Sequence, residues 1–257
     1  MSGLEQKNTS LNPSEVSERI TTRFTDDVTE SIHFIESNPL LVVSGAIGIG
    51  KTTSFIPLLN RLLMDHGFSV QLFDWQRYDD AIDTSGILEA EVDKLPAVTR
   101  GVLIIDEARS IIDDGEDVTR YVLQVSHDKG YKVIAVHPYY HGQENARFKY
   151  IAAWRSAEEQ VSGHPITAYT LNPKALESSL ARDYLTVKGY SPEVIDILVR
   201  ILPLKMVLLG QGWNVQNPKE ALRDISRMYR PWFEEDLLIS KEDFNHINQA
   251  LKIVQSK

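Results

Sequence analysis

Residues 45–52 read Gly45-Ala46-Ile47-Gly48-Ile49-Gly50-Lys51-Thr52, which matches the pattern G-x-x-x-x-G-K-[ST]. The apolar run 40–43 before this stretch predicts a buried strand, and residues 52–66 after it predict a helix. Glycines let the backbone curl around a phosphate chain without Cβ clashes, so that consecutive N–H groups point inward. The dipole of the following helix favours the same anion. The sequence therefore predicts a phosphate-binding loop between a strand and a helix.

The loop assigns a role to each of its polar positions. Lys51 is expected to reach the β- and γ-phosphates of a nucleotide, and the Thr52 hydroxyl is expected to bind Mg²⁺. The expected nucleotide-binding residues of the loop are Gly45, Ala46, Ile47, Gly48, Ile49, Gly50, Lys51, Thr52 and Thr53.

Composition excludes several classes of protein. The 257 residues carry a net charge of −9, which argues weakly against a non-specific DNA binder, because such proteins usually present a basic surface. The chain has no cysteine, which excludes disulfides, thiol catalysis and cysteine-bound zinc and fits a cytoplasmic location. It also lacks an apolar run of about 18 residues, so we expect no membrane span.

Strand and helix patterns alternate through the first two thirds of the chain. Residues 1–12 are expected to be a disordered tail, and apolar residues at steps of three or four from Val16 to Ile35 predict one helix. Further strands are expected at 69–75, 102–105, 132–136 and 166–171, and Pro57 predicts a kink or a local break in the helix after the loop. The fold class is therefore α/β, with a five-stranded parallel sheet in a three-layer P-loop NTPase fold over 13–171. Residues 172–257 read as all-helical.

Asp106 and Glu107 follow the apolar strand 102–105. Hydrolytic P-loop proteins need a carboxylate at the end of a strand beside the phosphate strand, where it holds Mg²⁺. Asp106 is the candidate for this metal-binding role, together with Thr52. A second carboxylate directly after the first can accept a proton from an attacking water, and Glu107 is the candidate for that role.

The next strand and helix supply further candidates. His137 stands at the tip of the strand and is a candidate for donating to the γ-phosphate or orienting the water, although a local structural bond explains a histidine there equally well. A guanidinium from a neighbouring subunit can stabilise phosphoryl transfer, and Arg155 is the candidate for this role, ahead of Arg147 and Arg109. Trp154 is interpreted as a packing residue.

With these residues in view, the chain resembles the AAA+ and STAND ATPases of the ASCE division. The resemblance rests on "LLVVSGAIGIGKTT", on "VLIIDEAR" and, more loosely, on "ILPLKMV" within the helical part. It implies ATP and Mg²⁺ as cofactors and a helical lid over 172–257 that follows the ATPase core. It also implies that Pro203 lies near the nucleotide, with Lys205 as the nearest cation. Ile201 replaces the glycine that usually precedes the Leu-Pro pair.

The resemblance favours a magnesium-dependent ATPase that couples its nucleotide state to a protein partner or to assembly as a ring or filament. A nucleotide switch that hydrolyses slowly or not at all is the alternative, and a P-loop kinase is a weaker one. Binding of nucleic acid rests on family analogy alone. The residues do not decide between ATP and GTP.

Overall fold

Five apolar segments form one parallel sheet in the computed structural model of the chain, which describes residues 12–46, 49–74, 84–108, 116–139, 144–171, 177–200 and 241–255. The strands are β1 (Leu40–Ala46), β2 (Ser69–Asp74), β3 (Gly101–Asp106), β4 (Tyr131–Tyr139) and β5 (Thr167–Leu171). Their order across the sheet is β2-β3-β4-β1-β5, and every neighbouring pair is parallel. The predicted five-stranded parallel sheet is confirmed.

Helices connect the strands and continue after them. Those in the α/β part are α2 (Thr25–Ser37), α3 (Ile56–Asp65), α4 (Thr84–Asp93), α5 (Glu116–Asp128) and α6 (Glu144–Val161). The others are α1 (Pro13–Thr21), α7 (Ser178–Val187), α8 (Pro192–Leu198) and α9 (Lys241–Gln255). None of these helices combines the length and the apolar character needed to cross a membrane.

Alternate residues of the central strands pack into two separate apolar clusters, one on each face of the sheet. On one face, Leu41 and Val43 of β1 pack with residues of α2 and α3. On the other face, Leu40 and Val42 pack with residues of α4, α5 and α6. Because side chains of a strand alternate between faces, continuous apolar strands require a helical layer on both sides. The predicted three-layer α/β fold is therefore confirmed.

The first predicted helix is two helices. α1 ends at Thr21, a 3₁₀ turn covers Thr22–Phe24, and α2 begins at Thr25. The Phe24 ring is buried and packs edge-on against Phe55, with 6.2 Å between ring centroids. The prediction of one continuous helix is wrong because the apolar period continues through the turn, and neither Gly nor Pro marks the break.

The kink predicted at Pro57 takes the form of a widened turn. Lys51–Phe55 is π-helical, and the N–H groups of Ser54 and Phe55 both donate to the Gly50 carbonyl, at 2.9 and 3.0 Å. α3 then begins at Ile56, so that Pro57 falls in its first turn, where helices tolerate proline. The π turn thus accommodates a proline that would clash with the carbonyl four residues earlier in a continuous α-helix.

The chain divides into two compact units. One comprises residues 24–174 and 206–212 and contains the sheet. The other comprises residues 1–23, 175–205 and 213–257 and is helical where it is described. Within the helical unit, α1 is tied to α7 by an ion pair between Arg19 Nη1 and Asp183 Oδ2 at 3.0 Å. The division into a tail over 1–12, a core over 13–171 and a lid over 172–257 stays a prediction.

Two glycines end helices in the same left-handed conformation, but in different surroundings. Gly67 follows α3 with φ +80° and has nothing within 4 Å of an added Cβ. Gly130 follows α5 with φ +82°, and an added Cβ would lie 1.9 Å from the Val98 carbonyl oxygen. The backbone that joins α5 to β4 therefore leaves no space for a side chain at residue 130.

We expect Gly67→Ala to cost about 1–2 kcal/mol of unfolding free energy, the price of a left-handed alanine. Gly130→Ala should cost about twice as much, because overpacking adds roughly 1–3 kcal/mol to the same backbone penalty. Urea unfolding of the two variants and the wild type measures both values. Equal losses would contradict the close contact at Val98.

Candidate phosphate-binding site

Lys51 is the buried charge at the centre of the site. Its side chain lies at the start of the π turn after β1, is only 5% exposed, and donates from Nζ to the Gly45 carbonyl oxygen at 3.0 Å. Burial lowers the pKa of Lys51 to about 8, against the opposing charges of Glu107 and Asp106. The lysine thus reaches back across the loop and points to its first residue.

Two glycines of the loop have physical reasons to be glycine. An added Cβ at Gly45 would lie 2.6 Å from Ile49 Cδ1 and 3.2 Å from Lys51 Cδ, so the lysine stem occupies the space of a side chain. Gly50 has φ +96°, which favours glycine, and the Phe24 ring lies 3.4 Å from where its Cβ would be. The close approach of Lys51 to the loop backbone therefore depends on Gly45.

Asp106 ends β3 and is 1% exposed. Burial raises the pKa of Asp106, while hydrogen bonds from the Thr52 side chain and the Glu107 N–H and the charge of Lys51 oppose the rise. The Glu107 N–H donates to Asp106 Oδ1 at 2.9 Å. The structure thus brings Asp106 close to Lys51 and Thr52 of the loop, which lie far from it in sequence.

Mg²⁺ prefers oxygen ligands and usually takes one or two carboxylates besides phosphate oxygens and water. A Thr52 hydroxyl that already hydrogen-bonds the Asp106 carboxylate presents two such oxygens side by side. These residues therefore fit the ion that the sequence predicts for them.

Glu107 has an uncommon backbone conformation for its residue type. Its φ is +54°, and no other non-glycine residue in the described ranges has a positive φ. The next residue, Ala108, donates its N–H to the Val136 carbonyl at 2.9 Å, which fastens the corner after β3 to β4. A left-handed non-glycine residue costs free energy and is often found at functional sites.

The carboxylate strand is not a direct neighbour of the phosphate strand. β4 lies between β3 and β1, so the expectation of adjacent strands is wrong. The inserted strand brings His137 opposite Ser44 of β1, and Pro138 opposite Gly45. His137 thus lies on the strand between the two halves of the site.

His137 is completely buried. Trp154 Nε1 donates to His137 Nε2 at 2.6 Å, and the Tyr150 ring stacks on the imidazole at 4.7 Å between centroids with an angle of 9°. Burial, with a smaller contribution from the charge of Lys51, lowers the pKa of His137 to about 3. The interpretation of Trp154 as a packing residue missed its hydrogen bond, because no sequence pattern connects the tip of a strand to a residue 17 positions later.

The two arginines of α6 have different surroundings. Arg147 is partly buried and donates to Thr170 Oγ1 of β5 at 3.3 Å. Arg155 is exposed. Arg147 therefore contacts its own sheet, whereas the role of Arg155 towards another subunit stays a prediction.

Several residues for which the sequence predicts a role in the site lie outside the described ranges. They are Ile47 and Gly48 of the loop, Pro203 and Lys205 of the helical part, and Arg109. Ala46 ends β1, Ile49 is buried, and Thr52 and Thr53 are partly buried in the π turn.

Comparisons with known proteins find likeness in structure only. No protein-family model matches the chain, and no curated protein matches its sequence. Domain III of the Thermotoga maritima replication initiation protein DnaA is 17% identical, with 95% of this chain and 100% of that chain covered and a TM-score of 0.47. The Walker-type ATPase PABY2304 of Pyrococcus abyssi is 12% identical, with coverage of 91% and 78% and a TM-score of 0.44. PCH-2 of C. elegans is 13% identical, with coverage of 95% and 68% and a TM-score of 0.40.

The fold follows from the chain's own geometry. A parallel sheet has helices on both faces, the glycine-rich loop leaves β1 for a helix, and Asp106 ends a strand at the same edge. The chain therefore has the three-layer α/β fold of a P-loop NTPase, as its sequence predicts.

Proposed function

We propose that this chain binds ATP with Mg²⁺ and hydrolyses it. The observation that carries the proposal is the buried Lys51 ammonium beside Asp106 at the end of a glycine-rich loop. A buried ammonium is costly, and the Lys51 ammonium donates to the Gly45 carbonyl. Phosphate oxygens are ionised acceptors, and a hydrogen bond from the Lys51 ammonium to an ionised acceptor is stronger than one to a carbonyl.

Each of the other site residues has a separate role in hydrolysis. Thr52 and Asp106 would hold Mg²⁺, which supplies positive charge to the phosphate oxygens when it is bound. Glu107 accepts a proton from water as the water oxygen attacks the γ-phosphorus. The bond between the γ-phosphorus and the bridging oxygen breaks, and ADP and phosphate leave. The charged Lys51 stabilises the negative charge of the phosphates throughout.

Phosphate release from ATP, measured with Mg²⁺ and with EDTA, tests this proposal. We expect metal-dependent release in the wild type and none above background in Lys51→Met. Binding without release would support the alternative of a nucleotide switch. Transfer of phosphate to a nucleotide or metabolite would instead identify a kinase and overturn the proposal.

The lowered pKa of Lys51 predicts how affinity depends on pH. Because only the ammonium form attracts phosphate strongly, affinity for ATP should be constant below about pH 8 and fall above it. The decline approaches tenfold per pH unit. Titration calorimetry at pH 8.5 in buffers of different ionisation enthalpy should show proton uptake on binding. Constant affinity up to pH 9.5 would contradict the assignment of Lys51 to the phosphates.

We further propose that nucleotide state controls a contact with a protein partner or with further copies of the chain. The exposed position of Arg155 on α6 supports a role towards a second copy. Size measurements with and without ATP test this, and Arg155→Ala should then lower turnover in the assembled form only. A monomer under all conditions, with turnover unaffected by Arg155→Ala, would overturn the role of this arginine.

A further inference from the structure

One face of α6 holds the imidazole of His137. Tyr150 and Trp154 are one helical turn apart, so their side chains emerge on the same face of the helix. Tyr150 covers the flat side of the imidazole, and Trp154 reaches its edge at Nε2. The Trp154 and His137 side chains are both fully buried, so water does not compete for this bond.

The chemistry of the two rings fixes the proton on His137. An indole N–H can only donate, so Nε2 of His137 must be the unprotonated nitrogen that accepts. In a neutral imidazole the other nitrogen then carries the hydrogen. An imidazolium would place two N–H groups against each other at 2.6 Å, and burial together with the nearby charge of Lys51 disfavours it further. His137 is therefore neutral and protonated at Nδ1.

The other ring nitrogen of His137 carries the Nδ1–H group. It is buried and has no hydrogen-bond partner within the part of the chain that the structure describes. A buried donor without a partner costs free energy, so its presence calls for an explanation. β4 places His137 beside β1 at Ser44, one residue before the carbonyl that accepts from Lys51. Because the charge of Lys51 acts on His137, a phosphate oxygen held by Lys51 would be a nearby acceptor for this donor.

We propose that Trp154 is a positioning residue that holds His137 in the Nδ1–H tautomer. Phosphate oxygens bound in the site would then meet a single neutral donor. This inference rests on the proposed nucleotide binding for its purpose, but not for the tautomer itself. This tautomer leaves Nδ1–H as the donor that the γ-phosphate meets. Loss of the γ-phosphate would leave the His137 Nδ1–H group without this acceptor. The residues that contact the imidazole, Tyr150 and Trp154, both belong to α6.

NMR of the ¹⁵N-histidine-labelled, nucleotide-free protein tests the tautomer directly. The signals of His137 are identified by their absence from His137→Asn. We expect a protonated Nδ1 and an unprotonated Nε2 in the wild type. Trp154→Phe keeps an aromatic ring without the donor and should lose the single tautomer, whereas Tyr150→Phe keeps the stacked ring and should retain it. A protonated Nε2 or an imidazolium in the wild type would overturn the inference, even if Trp154→Phe failed to fold.

Measurements of ATP turnover distinguish a positioning role of Trp154 from a role in packing alone. Trp154→Phe should lower kcat for ATP about five- to tenfold, the effect of one lost hydrogen bond, and leave KM nearly unchanged. In a His137→Asn background the same substitution should have no further effect on kcat, because Trp154 acts through His137. Additive losses would refute the positioning role. Absence of any Lys51-dependent turnover would refute the proposed function and leave the NMR result standing.

Discussion

Replacing Lys51 by Met should abolish nucleotide binding without unfolding the protein. Methionine keeps an unbranched apolar stem of similar length in the space beside Gly45, and removes the ammonium that the phosphates would meet. We expect the ATP-dependent rise in melting temperature to disappear and affinity to fall at least about 100-fold, since hydrogen bonds to charged groups contribute about 1.5–3 kcal/mol each. Thermal shift and titration calorimetry measure both effects.

The stability of the Lys51→Met protein provides the internal control. Burial makes the charged lysine unfavourable in the folded state, so the wild type bears this cost fully below pH 8. As pH rises from about 8 towards the ordinary pKa of 10.5, the folded lysine loses its proton before the unfolded one does. Wild-type stability should therefore rise relative to Lys51→Met over this window. The opposite trend would mean that Lys51 is not buried as a cation.

A surviving ATP-dependent thermal shift in Lys51→Met would remove the basis of the site. Lys51→Ala should also lose binding, but it leaves a cavity next to Gly45 and Leu171, so its stability should fall as well. Comparing the two variants thus separates loss of the charge from loss of packing.

The sequence predicts the local parts of this molecule better than the ways in which they meet. Local features such as the strand before the loop, the helix start at Asn12-Pro13 and the helix ends at Gly67 and Gly130 each depend on a few neighbouring residues. The Asn12 side chain accepts from the Ser14 N–H at 3.0 Å, as an N-cap does. Such features are predictable because their physical causes lie within one turn of the chain.

Features that depend on distant residues were not predictable. Strand order places β4 between β1 and β3, and nothing in the apolar runs distinguishes a neighbouring strand from one that is two positions away. The same holds for Trp154, whose contact with His137 exists only because α6 packs over β4. The break at Thr22–Phe24 has no local signal either, since the buried Phe24 continues the helical period.

Glu107 has a role that the sequence predicts and a backbone conformation that the sequence does not predict. The Asp-Glu pair at the end of an apolar strand predicts a base for water activation, but nothing in the pair predicts a positive φ. The structure adds that this residue occupies a left-handed corner fastened to β4 through the Ala108 N–H. Because glutamine has the same stem as glutamate, Glu107→Gln should retain the corner and change only the ability to accept a proton.

Glu107→Gln should therefore retain ATP binding and lose turnover. We expect the ATP-dependent thermal shift to remain and phosphate release to fall about 10²- to 10⁴-fold, the usual contribution of a general base. Glu159→Gln, an exposed glutamate of α6, is the matched control and should release phosphate at the wild-type rate. Single-turnover measurements with saturating ATP separate the chemical step from product release. Unchanged phosphate release in Glu107→Gln would exclude this carboxylate as the base, while a lost thermal shift would mean that Glu107 serves binding instead.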